Sequence, residues 1–406
     1  MDSTLSRATY LYAITLLYLL VAASTVDVFM TKWTTVINHP QYSLEKTLAM
    51  TTPKPYAFRL LMPIVVNKTF EFLPDKVLQV FSLRARLARD RYLSSDTLRY
   101  LYNSDSTAHP WSNELIIKYG LCGMWFFALF SATLLLYRSL ANHVSSSRLV
   151  CDGSPIIFAL ALPLSFRAVG GFIYDFSELF LVSLYLWLVL RNRRMWALAL
   201  LPLAVLNKET AILWPLLILL PYTFVMNREK ALRDTALHIT LCGVVLIGLY
   251  WFLRDVEGSH ADFLQLVSNA GFWLNPRTYL LGLSTGLPLI PFPRPQHVIF
   301  LPFLLILFFA YWSEKPQWLR LATTIGFAIV LPLVILFCFK DEYRNFSLLF
   351  PVLFLNSVHT MHSYFSKSEA GVERTTETAS ARTFVRMPNG DVEEGKKIYM
   401  PGPSES

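Results

Sequence analysis

Long apolar runs with few charged residues recur along the chain, and they restrict its fold more than any other feature. The clearest runs lie at 8–28, 113–138, 172–190, 209–226, 235–253, 297–313, 319–339 and 346–364. Two weaker runs, 153–168 and 195–207, contain Pro163 and Pro202. Because a helix of roughly 17–25 apolar residues can span a bilayer, the sequence predicts an all-α polytopic membrane protein with about ten transmembrane helices.

The composition supports this prediction and excludes the soluble enzyme classes. Of the 406 residues, 54% are hydrophobic and only 16% are charged, whereas soluble domains carry about 25% charged residues. The net charge of +8 comes from Lys and Arg scattered between the apolar runs, which is typical of topology determinants and not of a nucleic-acid site. The four cysteines are far apart, so we expect neither a zinc site nor a disulfide framework.

The positions of the basic residues predict the orientation. Short cytoplasmic loops retain an excess of Lys and Arg, and with the N-terminus inside, each inner loop is basic, as in 191–194. Both termini would then be cytoplasmic, with a transmembrane domain at 1–365 and a disordered tail at 366–406. The apolar segment 277–292 is interrupted by Gly and Pro, so we expect a re-entrant or interfacial segment there and not an eleventh crossing.

The first external loop, 29–112, is the largest segment between predicted spans, and it contains amphipathic stretches. In 75–92 the apolar residues Val77, Val80 and Leu83 alternate with basic residues such as Arg84 and Arg86. This pattern predicts an amphipathic helix on the membrane surface, with its basic side toward lipid phosphates. The alternative is a solvated helix that packs on the loop.

Charged residues inside or at the ends of membrane spans are costly, so each one requires an explanation. Such residues are few in this sequence, and we consider Tyr174, the neighbour of Asp175, together with them. The residues are Asp27, Arg59, Arg167, Tyr174, Asp175, Glu178, Lys208, Glu209, Glu342 and Arg344. The predicted orientation places all of them on the external side. We therefore expect acids and bases from different helices to meet in one pocket at the outer leaflet.

A pocket that mixes cations with carboxylates suits an anionic substrate, because cations bind phosphate and a carboxylate can abstract a proton. Simpler interpretations remain open. Asp175 and Glu178 would also serve as structural ion-pair partners of Arg167 or Lys208, and Glu209 is favoured in a first helical turn by the helix dipole. The sequence has no Gly-rich phosphate loop, which disfavours a nucleotide-dependent pump.

Several short segments, in this order, resemble the GT-C superfamily of polytopic glycosyltransferases, in particular bacterial members that use polyprenyl-phosphate sugars. They are a first helix that ends near Asp27, the segment 59–63, the pair 174–175, the elbow 208–210 and the elbow 342–344. The resemblance covers roughly residues 8–364.

This resemblance implies transfer of a sugar from a polyprenyl-phosphate donor to a lipid, glycan or protein acceptor on the external face of the bacterial cytoplasmic (inner) membrane. It makes Asp27 the leading candidate for the catalytic base. Members of the family often have a second acidic residue and a Tyr there, whereas Val28 and Phe29 follow here. Asp175 and Glu178 therefore remain alternative bases.

The donor phosphate would be bound by Arg344 with Lys208 or Arg59, and the other residues of the set would line the pocket: Arg167, Tyr174, Glu209 and Glu342. The implied mechanism requires no cofactor and no metal ligand, although Mg²⁺ or Mn²⁺ bridging phosphate and carboxylate is compatible with it. The expected partners are the lipid-linked donor, the acceptor and membrane lipids.

Two other functions would use a similar pocket. A transporter or flippase of an anionic lipid-linked sugar also needs cations near the membrane, but it usually has charges at mid-helix depth and on both sides. An O-antigen-type polymerase or ligase shares the substrates, but its long loop normally lies late in the chain. In this sequence the charges are predicted on one face, and the long loop is the first.

Overall fold

The computed structural model describes residues 3–32, 43–93, 112–166, 171–258, 264–280, 283–287, 290–293, 298, 300–338 and 343–383. This part of the chain is helical apart from one short β-hairpin. By their contacts, the residues divide into two units, Met1–His362 and Ser363–Ser406. The all-α class predicted from the sequence therefore agrees with the structure.

Each of the ten apolar runs contains helical structure. The α-helices before the hairpin, α1 to α12, are Ser3–Lys32, Leu44–Leu48, Leu61–Phe72, Asp75–Leu93, Asn113–Ala141, Arg148–Ala161, Asp175–Leu190, Arg194–Asn207, Leu220–Met226, Arg228–Phe252, Leu266–Trp273 and Arg277–Leu280. Those after it, α13 to α15, are Phe300–Phe309, Gln317–Phe337 and Phe350–Thr383. Helices are the expected outcome, because lipid offers no hydrogen-bond partner to an exposed backbone.

Five helical segments are long and apolar enough to cross a membrane: Ala8–Met30, Asn113–Ala141, Glu209–Met226, Arg228–Phe252 and Gln317–Phe337. Other apolar helices are shorter, since α6 and α8 each have 14 residues and α7 has 16. Pro155 and Pro202 lie inside α6 and α8. The chain is thus compatible with an integral membrane protein, and the count of about ten crossings stays a prediction.

Local sequence explains where several helices begin. Ser112 and Ser147 accept hydrogen bonds from the backbone N–H groups of Leu115 and Val150 at the starts of α5 and α6. The side chain of Asn227 does the same at the start of α10. Such caps satisfy backbone donors that the first helical turn leaves without a partner.

The described residues of the region 29–112 contain the end of α1 and four further helical segments. Helix α1 continues to Lys32, and α2, a 3₁₀ turn at Tyr56–Phe58, α3 and α4 follow. Helix α4 coincides with the predicted amphipathic stretch. It packs on α5, yet Val80, Leu83 and Leu87 remain 56–65% exposed. An uncovered apolar stripe of this kind supports the lipid-surface interpretation.

Two other segments refine the sequence analysis. The described residues of 277–293 contain the short helix α12 and the antiparallel hairpin of β1 (Leu283–Leu287) and β2 (Ile290–Pro293). The predicted tail begins as helix, because α15 continues to Thr383. The disorder predicted for 366–406 stays a prediction, and residues 384–406 lie outside the described part of the chain.

An aromatic cluster packs the start of α7 against α1 and α5. The ring of Phe176 lies 4.7 Å from that of Phe29, and its distances to Phe126 and Phe130 are both 5.3 Å between centroids. Gly171 contacts the Phe29 ring so closely that a Cβ atom there would overlap it. This close approach positions the segment 172–178, which carries Phe172, Tyr174, Asp175 and Glu178 of the candidate site.

The connection between α8 and α9 is a sharp elbow. Helix α8 ends at Asn207, Lys208 is extended, and a 3₁₀ turn begins at Glu209. A π-helical turn then starts at Pro215 and leads into α9. Pro215 has no backbone N–H to donate, which explains why the helix does not continue regularly. The elbow places two oppositely charged neighbours at one end of the helices.

Candidate functional site

Three ion pairs, two of them buried and one partly buried, connect four distant parts of the chain. They are Arg59 with Glu209 at 3.1 Å, Lys208 with Glu178 at 2.8 Å, and Arg344 with Asp175 at 3.3 Å. We call this set the ionic cluster. It joins the segment before α3, the start of α7, the α8–α9 elbow and the 3₁₀ turn at Tyr343–Leu349. The expectation that charged residues from separate segments meet is confirmed for these six.

Tyr174 lies among the cations of the ionic cluster. The Arg59 guanidinium lies 4.3 Å from the centre of the Tyr174 ring and 4.6 Å from that of Tyr56. It also donates a hydrogen bond to the Tyr174 hydroxyl. The ammonium of Lys208 lies 5.8 Å from the same ring. Cations above an aromatic face are attracted by the ring quadrupole, so Tyr174 helps to hold two positive charges close together.

Phe172 extends this arrangement to the third cation. Its ring stacks between Tyr56, at 5.2 Å, and Tyr174, at 5.4 Å. The Arg344 guanidinium lies 4.2 Å from the centre of the Phe172 ring. Tyr56 and Phe172 were not among the residues predicted from the sequence. Their only sequence signal is that both lie within three residues of a predicted site residue.

The start of α7 is fixed by hydrogen bonds as well as by ion pairs. The Asp175 carboxylate accepts from the Phe172 N–H at 2.7 Å, which ties the segment before α7 to the first residue of the helix. Asn207 donates to the Tyr174 carbonyl at 3.2 Å, and Ser177 donates to the same carbonyl at 2.9 Å. These bonds tie Tyr174 to the end of α8.

Glu178 is the most deeply buried acid of the ionic cluster. Its side chain is 1% exposed. One carboxylate oxygen accepts from Lys208 and from Ser347, each at 2.8 Å, and the other has no hydrogen-bond partner among the described residues. Ser347 also escaped the site prediction, because a single Ser after a charged elbow carries no distinctive pattern.

The ionic cluster is electrically neutral, with three cations and three carboxylates. Burial by itself would lower the pKa of Arg59, but the Glu209 carboxylate and the Tyr174 hydroxyl outweigh that effect and raise the pKa above its ordinary value. Arg59 is therefore charged at any physiological pH. An added anion must consequently displace a carboxylate or bind beside it.

The three pairs differ in depth. The side chains of Asp175, Glu178, Lys208 and Arg344 are at most 7% exposed, whereas Arg59 is 11% and Glu209 is 17% exposed. The pair of Arg59 and Glu209 thus forms the outer layer of the ionic cluster, and the other two form the inner layer.

The remaining predicted site residues have different outcomes. Asp27 is exposed near the end of α1, whereas its neighbours Val26 and Phe29 are buried. Its role as the base stays a prediction. Arg167 and Glu342 lie outside the described residues. Asp175, for which the sequence suggested Arg167 or Lys208 as partners, pairs with Arg344.

Other polar features lie apart from the ionic cluster. A groove of about 510 Å³ is lined by residues of α2, α3 and the start of α5, including Met50, Phe70 and Lys118. The buried Lys315 donates to the Asn356 carbonyl and the Thr360 hydroxyl, both at 2.8 Å, and burial lowers its pKa to about 8. The described residues include no group of three or more His, Cys, Asp or Glu side chains suited to a metal ion.

Comparisons of the chain with known protein families, with curated proteins and with solved structures gave no match.

Proposed function

We propose that the protein is an integral-membrane glycosyltransferase that moves a sugar from a polyprenyl-phosphate donor to a lipid, glycan or protein acceptor at the external face of the membrane. The observation that carries this proposal is the convergence of Arg59, Lys208 and Arg344 on the Tyr56–Phe172–Tyr174 stack, with a carboxylate beside each cation. Sugar transfer from a lipid phosphate needs both kinds of group in one place.

The cations supply phosphate binding and charge stabilisation. As the bond between the anomeric carbon and the phosphate oxygen breaks, negative charge grows on the departing phosphate. Preorganised donors at that position lower the barrier, because they need no reorganisation during the reaction. Arg59 and Arg344 are held by aromatic faces and by ion pairs, so their orientation is set before a substrate arrives.

A carboxylate supplies the second half of the reaction. It takes the proton from the acceptor hydroxyl while the oxygen attacks the anomeric carbon opposite the phosphate, which inverts the configuration. The donor carries its own activated bond, so no nucleotide is needed at the external face. The polyprenyl chain would enter from lipid beside the helices that frame the ionic cluster.

The position of the ionic cluster supports an enzyme over a transporter. Asp175 is the first residue of α7, Glu209 follows the end of α8, and Arg344 follows α14 after a short connection. The charges therefore lie at helix ends. Transporter sites typically lie near the middle of the membrane, where helices are interrupted.

The direct test is turnover by the purified protein in lipid nanodiscs. A panel of polyprenyl-phosphate sugars with matching acceptors should yield free polyprenyl phosphate in at least one combination. Arg59→Met should lower that turnover by about 10²–10³-fold, as expected for loss of one preorganised donor to the leaving group. The matched control is Arg254→Met, since Arg254 is 66% exposed on a neighbouring loop and should leave turnover unchanged.

Two other outcomes of this test would contradict the proposal. Wild-type protein that binds the donors and moves them across a membrane without cleaving them would establish the transporter. Equal turnover by Arg59→Met and the wild type would remove the ionic cluster from the reaction.

The orientation has its own prediction. Asp255 is 91% exposed, and the backbone carbonyl of its neighbour Arg254 accepts from Lys54 at 3.1 Å, close to the Arg59 segment. Met195 is 73% exposed at the opposite end of α8 from Lys208. In a Cys338→Ala background, Asp255→Cys should react with an impermeant thiol reagent in intact cells, and Met195→Cys should react only after permeabilisation. The reverse pattern would contradict the external site.

A further inference from the structure

The three acids of the ionic cluster are not equally available to a substrate. Asp175 holds the Phe172 N–H and Arg344, and Glu178 holds Lys208 and Ser347. Both side chains are at most 5% exposed. Each carboxylate thus joins α7 to neighbouring segments. Neither can reach an acceptor hydroxyl without losing these hydrogen bonds and ion pairs.

Glu209 differs from them in both respects. Its side chain is 17% exposed, and its two oxygens contact the Arg59 guanidinium at 3.1 and 3.4 Å. It is the first residue of the 3₁₀ turn that follows the extended Lys208. Both partners of the pair therefore lie at the outer layer, where a lipid-linked substrate would meet them first.

We infer that Glu209 is the general base of the reaction. Without substrate its carboxylate is paired with Arg59, and binding of the donor phosphate to Arg59 releases it. This assignment rests on the proposed function. The donor phosphodiester and the Glu209 carboxylate each carry one negative charge, so the phosphate can replace the carboxylate on Arg59 and leave that guanidinium paired with one negative charge, as before. The inner pairs stay intact during the exchange.

The chemical step balances with these groups. The released Glu209 takes the proton of the acceptor hydroxyl, and the acceptor oxygen forms its bond to the anomeric carbon. The bond from that carbon to the phosphate oxygen breaks, and its electron pair stays on the phosphate. Total charge is conserved, because neutral Glu209 and doubly charged polyprenyl phosphate replace a carboxylate and a singly charged diester. Arg59, with the Tyr174 hydroxyl beside it, faces the added charge.

The test separates catalysis from binding. Glu209→Gln keeps the shape of the side chain and an oxygen that can accept from Arg59, so it should fold. Its turnover of the polyprenyl-phosphate sugar should fall by about 10²–10⁴-fold, the usual contribution of a general base. Its affinity for polyprenyl phosphate, measured by thermal shift in nanodiscs, should equal or exceed that of the wild type, because Arg59 loses its charged competitor.

Arg59→Met should show the opposite pattern in the same binding assay. Loss of a charge-assisted contact of about 1.5–3 kcal/mol should weaken polyprenyl-phosphate binding by roughly 10–100-fold. Glu257→Gln, an exposed acid on the neighbouring loop, is the matched control for Glu209→Gln and should change neither turnover nor binding.

A pH profile adds a readout that a structural role would not change. Wild-type kcat/KM should fall at acid pH as the base becomes protonated, and Glu209→Gln should lack that acid limb. Glu209→Asp, which keeps the charge on a shorter side chain, should retain the limb at a lower rate. This variant also serves as the test if Glu209→Gln does not fold.

The outcomes are distinguishable. If the wild type turns over a donor and Glu209→Gln does so equally well, the assignment of Glu209 is wrong while the proposed function stands. If Glu209→Gln loses turnover and binding together, Glu209 is a structural residue and the assignment is again wrong. If the wild type neither binds nor cleaves any polyprenyl-phosphate sugar, the proposed function itself fails.

Discussion

Replacing Arg344 with methionine is expected to lower the free energy of unfolding by about 3–5 kcal/mol, because the change leaves the Asp175 carboxylate buried beside an apolar side chain. Both partners are 5% exposed, so water cannot compensate the lost charge. Unfolding in a mixed detergent, followed by tryptophan fluorescence, measures the effect. Arg254→Met, on the exposed loop, should change the same quantity by less than about 0.5 kcal/mol.

A double variant separates the two causes of this loss. Asp175→Asn removes the buried charge but keeps an oxygen for the Phe172 N–H. Combined with Arg344→Met, it should therefore recover part of the lost stability, since the unpaired carboxylate is gone. A single Arg344→Met variant that is as stable as the wild type would contradict the burial of this pair. Because folding is at stake, loss of turnover in Arg344 variants does not by itself identify a phosphate ligand.

Substituting Gly171 with valine is expected to destabilise the protein by about 3 kcal/mol, at the upper end of the usual cost of overpacking. Even a Cβ atom at this position would overlap the Phe29 ring, and that ring is fixed between Phe126 and Phe176. The start of α7 would have to shift. Thermal unfolding in detergent and polyprenyl-phosphate binding should both report the change, because residues 172–178 contain Asp175 and Glu178, which pair with Arg344 and Lys208.

Two further variants test whether the loss of stability comes from the contact between Gly171 and Phe29. Gly153→Ala, inside α6, has no atom within 4 Å of its new Cβ, so it should be neutral or should stabilise by about 0.4–1 kcal/mol. Gly171→Val combined with Phe29→Ala should cost less than the sum of the single changes, since each relieves the other's packing defect. Strict additivity would mean that Gly171 does not contact Phe29.

The placement of the carboxylates shows how far sequence reasoning reaches. The resemblance to the GT-C family made Asp27 the first candidate for the base, and that role stays a prediction. The three ion pairs of the ionic cluster use Asp175, Glu178 and Glu209. Lys208 was correctly considered as a partner for Glu178. The partnership of Arg344 with Asp175 could not be read from the sequence, because 168 residues separate them and no local pattern connects their helices.

The aromatic residues of the site could not be identified from the sequence either. Tyr56 and Phe172 are ordinary members of an aromatic-rich sequence, in which rings make up 15% of the residues. Only the packing of the segment before α3, which contains Tyr56, against the segment before α7 turns them into a stack that orients Arg59 and Arg344. A ring gains this role from its distance to a cation, which is a tertiary property.

By itself the sequence determined the all-α class, the positions of the ten apolar segments and the small set of charged residues that needed an explanation. These follow from hydropathy, which depends only on stretches of consecutive residues and can therefore be read directly from the sequence. Tertiary structure alone decided which cation meets which carboxylate, which pair lies outermost and why Gly171 has no side chain. Those outcomes depend on how helices pack, because a contact between residues far apart in the chain produces no periodic pattern in a single sequence.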